Sequence, residues 1–434
     1  MRMRLSREQF RDALNKGLGR VVLHARQYGL RGMEGEVFRG MRRPLGYDLQ
    51  IDDGFGAVIW DAIHAAKEES RFRSSLIKRL RTAKKDYEIR QLLELARGYA
   101  AGGDAQIKRE LYLCFERGLD NGRVDGCEEI IAVDGLEGYS RMARAIGRRE
   151  REGRLKADYA AEYAFYTARE RYGTVSAHRA LRPKNLDLSA YRIALRREEN
   201  RHAHRKLEKV TWRMLKRRLD ETGNGRTEYY GLARRFGKSA SIKELGRAFE
   251  YFLAEEDPAR LRTVLGVFNV ADIPRYDSKL EMLARHRDPR LRARATGALS
   301  RLKHPRVRSL ALESLKSRRR LARRGLELFH KNYEDKDGKR ILRALKGNWP
   351  KEMAHGFVVD LSDLVEGRLP KSLVPAFVRG YDISPCAQCR SAIFRRLLSV
   401  KSAPAWMIRE CRFDANDGTR ELAVKADKIR RYSR

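Results

Sequence analysis

Apolar side chains recur at three- and four-residue spacing through most of this 434-residue chain. In GFGAVIWDAIHAAKEE (54–69), Val58, Ile59, Ala62, Ile63 and Ala66 fall on one broad face, the stripe of an amphipathic helix. SREQFRDALNKGLGRVVLHARQYG (6–29) opens on Ser6 with Gln9 three positions later, the pattern of a capping box. SLIKRLRTA, YEIRQLLELARGYAAGG and DAQIKRELYLCFERG continue as helices with short polar or glycine breaks between them. Over 125–152, Ile130, Ile131, Val133 and Leu136 are followed by Met142, Ala143 and Ile146 in the same rhythm. A tyrosine-rich helix is expected over 157–173, a loop at Arg182-Pro183-Lys184-Asn185, and a turn at Gly223-Asn224-Gly225. Strand alternation is rare, with FVV (357–359) as a short candidate. Only 11 prolines interrupt the chain, so helices can run long. The organisation expected is an N-terminal helical region (1–180), a basic and less regular helical region (181–250), and a C-terminal repeat region (251–434).

The punctuation becomes regular after 257. Asp257-Pro258, Asp288-Pro289 and His304-Pro305 each precede a helical pattern. A cap-like side chain accepts the free N–H groups of the first turn, and a proline after it loses no hydrogen bond. DPRLRARA (288–295) returns sixteen residues later as HPRVRSLA (304–311), and NDGTRELA (416–423) is a poorer third copy. Leu291, Ala295, Ala298 and Leu299 share one face, as do Val307, Leu310, Ala311 and Leu315. The small alanines allow close helix approach.

The stretch DPRLRARATGALSRLKHPRVRSLALESL resembles the HEAT family of α-helical repeats. The resemblance is close over about 285–316, with weaker echoes at 251–267 and 411–425. It implies an all-α, HEAT-like α-solenoid of stacked antiparallel helix pairs. It also implies that Asp288, Arg292 and Arg308 support contacts near the inter-helix turns, with Asp417 and Arg420 in the third copy. In the second copy His304 replaces the usual aspartate; in the third, Gly418 replaces the proline and Thr419 the apolar residue. The offset of sixteen is shorter than a two-helix repeat, so the two best copies read as successive helices.

Charge adds a functional expectation. There are 95 Lys+Arg against 58 Asp+Glu, a net charge of +37, spread over many segments. Such a surface attracts polyanions, and its binding to a nucleic-acid backbone would be sequence-independent and salt-sensitive. The densest face is Arg205, Lys206, Lys209, Arg213, Lys216 and Arg217, with Trp212 either stacking on a base or anchoring the helix to the core. A second patch is Arg318, Arg319, Arg320, Arg323 and Arg324. Because Arg308 belongs to the repeat pattern, packing is its expected role.

Candidate chemistry is sparse. Cys386 and Cys389 form a CxxC at an expected helix start, with Cys411 farther on and His355 upstream. That set lacks the four-ligand spacing of a structural zinc site and the βαβ context of a redox pair, so buried, unliganded cysteines are expected. His202 and His204, two apart, do not share a helical face. Asp48, Asp52, Asp53, Asp61, Glu68 and Glu69 match no metal loop, and Asp52 or Asp53 reads as a helix cap. Asp335, Asp337 and Gly338 read as a capped turn, since the rest of a calcium loop is missing. Gly237-Lys238-Ser239 has the last letters of a P-loop without its first glycine or leading strand.

No cofactor or catalytic residue is therefore expected. The five cysteines do not read as a disulfide framework, and no apolar run reaches membrane-spanning length. MRMRLSREQF lacks an apolar signal core, so a cytoplasmic setting is the default. The leading expectation is a non-enzymatic scaffold or adaptor that binds nucleic acid or an acidic protein surface. The alternative comes from the resemblance: one group of alkylpurine DNA glycosylases also uses HEAT-like repeats. Its catalytic residues find no match here.

Overall fold

The capping box that opens the chain forms as its spacing predicts. The Ser6 hydroxyl accepts the Gln9 N–H at 3.2 Å, and the Gln9 side chain accepts the Ser6 N–H at 2.9 Å, starting helix Arg7–Lys16. In this computed structural model the described residues are 4–182, 185–202, 209–221, 229–316, 321–365 and 367–432, with side chains described for all but 199–202, 321–323 and 431–432. The expected loop at 182–185 lies partly, and the turn at 223–225 wholly, outside them. Among the described residues every regular element is helical. FVV (357–359) lies inside helix Lys351–Asp363, not in a strand. Ala354, Phe357, Val358 and Leu361 are buried there at helical spacing, so the short apolar run was one side of a longer stripe.

The chain divides into two compact units. One comprises residues 1–206, 385–391 and 404–434; the other comprises 207–384 and 392–403. In the first unit, helices Phe55–Ala66, Asp86–Ala101 and Cys127–Arg151 pack in succession, and Leu186–His202 lies on the last. Gly147 permits that final approach, since a Cβ there would collide with the Asp187 carbonyl. Ion pairs tie neighbouring helices together at intervals of about one helix pair. Arg81 meets Glu110 at 2.8 Å, and Arg149 meets Asp120 at 2.7 Å.

The first unit is closed by sequence-distant pieces. Arg390 is fully buried and grips Asp414 with two bonds, Nε–Oδ2 at 3.0 Å and Nη2–Oδ1 at 3.2 Å. Its Nη2 also reaches the Gly17 carbonyl at 3.4 Å, and Ala415 N–H donates to that carbonyl at 2.9 Å. Nearby, Arg20 pairs with buried Glu410 at 3.0 Å, and Arg420 with Asp61 at 2.8 Å. Gly54, at φ 76°, sits where a Cβ would run into the Ala415 carbonyl. No side chain but hydrogen fits there, and the positive φ independently favours glycine.

In the second unit, helices Tyr230–Ser239, Pro258–Phe268, Pro289–Ser300, Leu321–Leu328 and Lys351–Asp363 pack one on the next. Ser278–Ala284 pairs with Pro289–Ser300, and Pro305–Lys316 with Leu321–Leu328, so helix pairs stack. The copies at 288 and 304 thus start successive helices that belong to different pairs. Asp257 accepts the N–H groups of Ala259 and Arg260, and Asp288 that of Arg290, each before a proline at the helix start. His304 does the same work through Nδ1, which accepts the Arg306 N–H at 3.2 Å, while its ring stacks on Tyr276. In the third copy Asn416 takes the cap, accepting the Thr419 N–H at 2.9 Å, so the capping position is one residue earlier than Asp417.

Replacing Arg390 by Met, or Asp414 by Asn, leaves one charge buried without its partner. Each change is expected to cost about 3–5 kcal/mol of unfolding free energy, measured by urea titration. A loss below about 1 kcal/mol, the scale of a solvent-exposed pair, would contradict the burial of this contact.

Candidate functional site

Helix Trp212–Glu221 carries Arg213, Lys216 and Arg217 of the first basic patch, and Lys209 precedes it. Lys209, Arg213, Lys216 and Arg217 are exposed. Lys216 pairs with Asp220 at 2.7 Å and Arg217 with Glu221 at 2.9 Å, each four residues on, while Arg213 and Lys209 form no ion pair among the described residues. Trp212 is half-buried, with its ring 5.8 Å from both Phe236 and Tyr251. The ring thus packs on the neighbouring helices of this unit. Arg205, Lys206 and His204 lie outside the described residues, as do Arg318, Arg319 and Arg320; the side chains of His202 and Arg323 are likewise not described.

Arg324 lines a groove of about 620 Å³ along the stacked helices of the second unit, with Arg294, Arg301, Glu327, His330, Asp360 and Asp363. The Arg294 guanidinium lies 3.3 Å from the centre of the Tyr230 ring, and His330 Nδ1 donates to the Asp363 carbonyl at 2.6 Å. Both cations and carboxylates line it, so the groove has no single sign. A second groove in this unit differs. It encloses about 770 Å³ and is lined by Leu312, Leu315, Lys316, Arg340, Arg343, Lys346, Asn348 and Trp349. Among the described residues, no carboxylate lines it. Arg340 pairs with Asp337 at 3.0 Å, but Arg343 and Lys346 make no ion pair among the described residues. Trp349 donates its Nε1–H to the Ala344 carbonyl at 3.1 Å and packs on Phe357, which fixes the groove wall. Sequence reasoning missed Arg343 and Lys346, which follow Arg340 at three-residue spacing in KRILRALK; only folding sets that stretch beside Lys316.

The repeat arginines do structural work. Arg308 donates to both Asp337 oxygens at 2.7 and 3.1 Å and to the Asn332 carbonyl at 2.6 Å. Asp337 is fully buried, and although burial pushes its carboxyl up, the hydrogen bond from Arg308 leads the effects that hold it below its usual range. The capped turn expected at Asp335–Gly338 forms as a short 3-10 turn, Asp335–Asp337, in which Asp337 accepts the Glu334 N–H at 3.0 Å; the same carboxylate faces Arg308 and gives no side-chain cap to helix Gly338–Leu345. Arg292 donates to the His286 carbonyl at 2.7 Å, and Asp288 pairs with Arg262 at 2.8 Å. Gly237, Lys238 and Ser239 lie on helix Tyr230–Ser239, which rules out a phosphate-cradling loop at that place.

The acidic segment 48–69 is also redistributed. Helix Phe55–Ala66 receives no cap from Asp52 or Asp53; Glu94, from the neighbouring helix, accepts the Gly54 and Gly56 N–H groups at 3.0 and 2.8 Å. Asp52, buried, accepts the N–H groups of Tyr47, Asp48 and Ala387 at 3.0, 3.1 and 3.1 Å. Asp48 accepts the Gln50 N–H, Asp61 meets Arg420, Glu68 meets Arg71, and Glu69 meets His64. Buried Glu94 has a carboxyl pushed up to about 7 by burial, against the two backbone bonds. Glu129, equally buried, is pushed up to about 8 by burial and then by the charges of Glu94 and Glu128. Burial thus carries both carboxyls toward the neutral range, with Arg97 as the cation that opposes the shift in both.

Cys386 and Cys389 flank the start of helix Ala387–Ser399, with Cys386 buried and Cys389 half-buried. Their sulfurs lie within 4.8 Å of each other, and Cys386 Sγ is 3.5 Å from Asp52 Oδ1. The Cys389 thiol donates to Cys386, which holds Cys386 below the usual thiol range and raises Cys389. Cys411 does not join them at ligand distance. Cys114 and Cys127 are buried elsewhere, each raised chiefly by burial.

No family model, curated protein or solved structure matches this chain. No helix among the described residues is long and apolar enough to cross a membrane.

Folded-state carboxyls above their ordinary 4.5 favour folding while protonated, so this contribution is full below about pH 4.5 and is lost as pH rises through 7 to 8. Glu129→Gln should thus gain thermal stability relative to the parent as pH goes from 5 to 9, read from Tm at each pH; parallel curves would count against the shift. Arg308→Ala should destabilise the second unit by about 3 kcal/mol or more by leaving Asp337 buried without its main partner, measured in denaturant.

Proposed function

We propose that this chain is a non-enzymatic HEAT-like α-solenoid scaffold or adaptor whose basic surface binds nucleic acid or another polyanionic partner. The observation that carries this reading is the groove in which Lys316, Arg340, Arg343 and Lys346 converge with no carboxylate among the described residues of its wall. Lys316 is followed, after Ser317, by Arg318-Arg319-Arg320, so the basic run of the sequence adjoins it along the chain. The excess of +37 charges gives the same direction. Internal pairing consumes one acid for each base, and among the described residues only Arg149 and Arg390 are buried cations, so the surplus faces solvent. Phosphates held this way are positioned without base readout. The stacked helix pairs, their Asp-Pro starts and the Arg308–Asp337 contact support the HEAT-like reading.

Binding to labelled duplex DNA, single-stranded DNA and RNA should be measurable at low salt and weaken steeply as salt rises. Arg343→Glu with Lys346→Glu should flatten the log–log salt slope by about 1 for each phosphate no longer neutralised. Arg308→Ala should leave that slope unchanged. Negligible binding to all three polymers at low salt would defeat the nucleic-acid reading.

The second reading is a HEAT-like DNA-processing enzyme such as an alkylpurine DNA glycosylase. It is favoured by the buried Glu94 and Glu129 carboxyls, which burial pushes up to about 7 and about 8, into the range a general acid needs. Release of a modified base from alkylated duplex DNA, abolished by Glu129→Gln, would install it over the scaffold reading.

A further inference from the structure

The CxxC pair is the feature that the polyanion reading leaves unused. An i, i+3 spacing across a helix start turns both side chains to the same side of the first turn. Here Cys386 and Cys389 bring their sulfurs within 4.8 Å of each other. Two thiolates on a tetrahedral ion, with bonds of about 2.3 Å, sit about 3.8 Å apart, so only a small adjustment separates this pair from ligand geometry. An oxygen donor adjoins Cys386: Asp52 Oδ1 lies 3.5 Å from its Sγ. Asp52 is itself fixed, because its carboxylate accepts the Ala387 N–H on one oxygen and the Tyr47 and Asp48 N–H groups on the other. Those bonds are the outer-sphere contacts that orient a ligating carboxylate. The two sulfurs differ in access, Cys386 being buried and Cys389 half-buried, which leaves an approach from the Cys389 side.

We propose that Cys386 and Cys389, with Asp52 as the adjoining oxygen donor, form a binding site for a thiophilic divalent cation of the zinc type. Two sulfurs and a carboxylate oxygen suit Zn²⁺ or Co²⁺ and disfavour Mg²⁺ and Ca²⁺, which take oxygen ligands. The ion replaces one proton on each thiol, so loading releases two protons per ion and leaves two metal–sulfur bonds, with no change of oxidation state. The site ties residues 385–391 to the loop that holds Asp52, within the first unit.

The test uses the full chain, reduced and stripped of metal, titrated with Co²⁺. One equivalent should bind with a near-ultraviolet thiolate charge-transfer band, and Zn²⁺ should displace it. Cys389→Ser, at the half-buried position, should weaken Co²⁺ binding about tenfold or more and diminish the band. Cys114→Ser should leave both unchanged. In parallel, Zn²⁺ should protect Cys386 and Cys389 from a thiol-alkylating reagent, counted by mass. Absence of the band in the reduced parent chain overturns the proposal. So does a band that persists undiminished in Cys389→Ser, or a pair that alkylates equally fast with and without Zn²⁺.

Discussion

A guanidinium with no access to water must find its acceptors inside the protein, and Arg390 finds them in Asp414 and the Gly17 carbonyl. Taking two charges out of water is costly, and only a bidentate, fully hydrogen-bonded geometry offsets it. That requirement joins residues from opposite ends of the chain. Gly17 also accepts the Ala415 N–H, Gly54 admits the Ala415 carbonyl at a position no Cβ could share, and Arg20 and Arg420 reach Glu410 and Asp61 around the same place. The helices of the first unit could each form locally, but their closure into one unit depends on this set of contacts.

Arginine serves two purposes in this protein, and position separates them. Arg81, Arg149 and Arg308 each meet a carboxylate about one helix pair away, and the pair fixes the spacing of neighbouring helices. Arg213, Arg343 and Lys346 form no such pair among the described residues. The first group is structural even though it adds to the net charge; the second supplies the field that a polyanion would meet. Counting basic residues along the sequence mixes the two, and the carboxylate partner divides them.

Buried polar groups show the same economy of position. Glu94 satisfies the N–H groups that open helix Phe55–Ala66, and Asp52 satisfies the Ala387 N–H, so each carboxylate caps an element that sequence spacing does not assign to it. Nearest-neighbour reasoning placed the cap at Asp52 or Asp53 because caps are usually local. It failed there because a glycine-rich helix start, packed against a neighbouring helix, lets a long side chain from that neighbour enter.

The sequence by itself determined that the chain is helical and where several helices begin. These are local matters: a 3.6-residue apolar period, a cap before a proline, and a small residue where helices touch. His304 could be read as a cap in place of aspartate because an imidazole nitrogen can accept the same N–H. Tertiary structure alone decided the rest. It gathered Arg343 and Lys346 beside Lys316, set Glu94 against Glu129, and brought Asp52 to Cys386 across more than three hundred residues. Such meetings depend on how whole helices stack, and no spacing within a single helix encodes them.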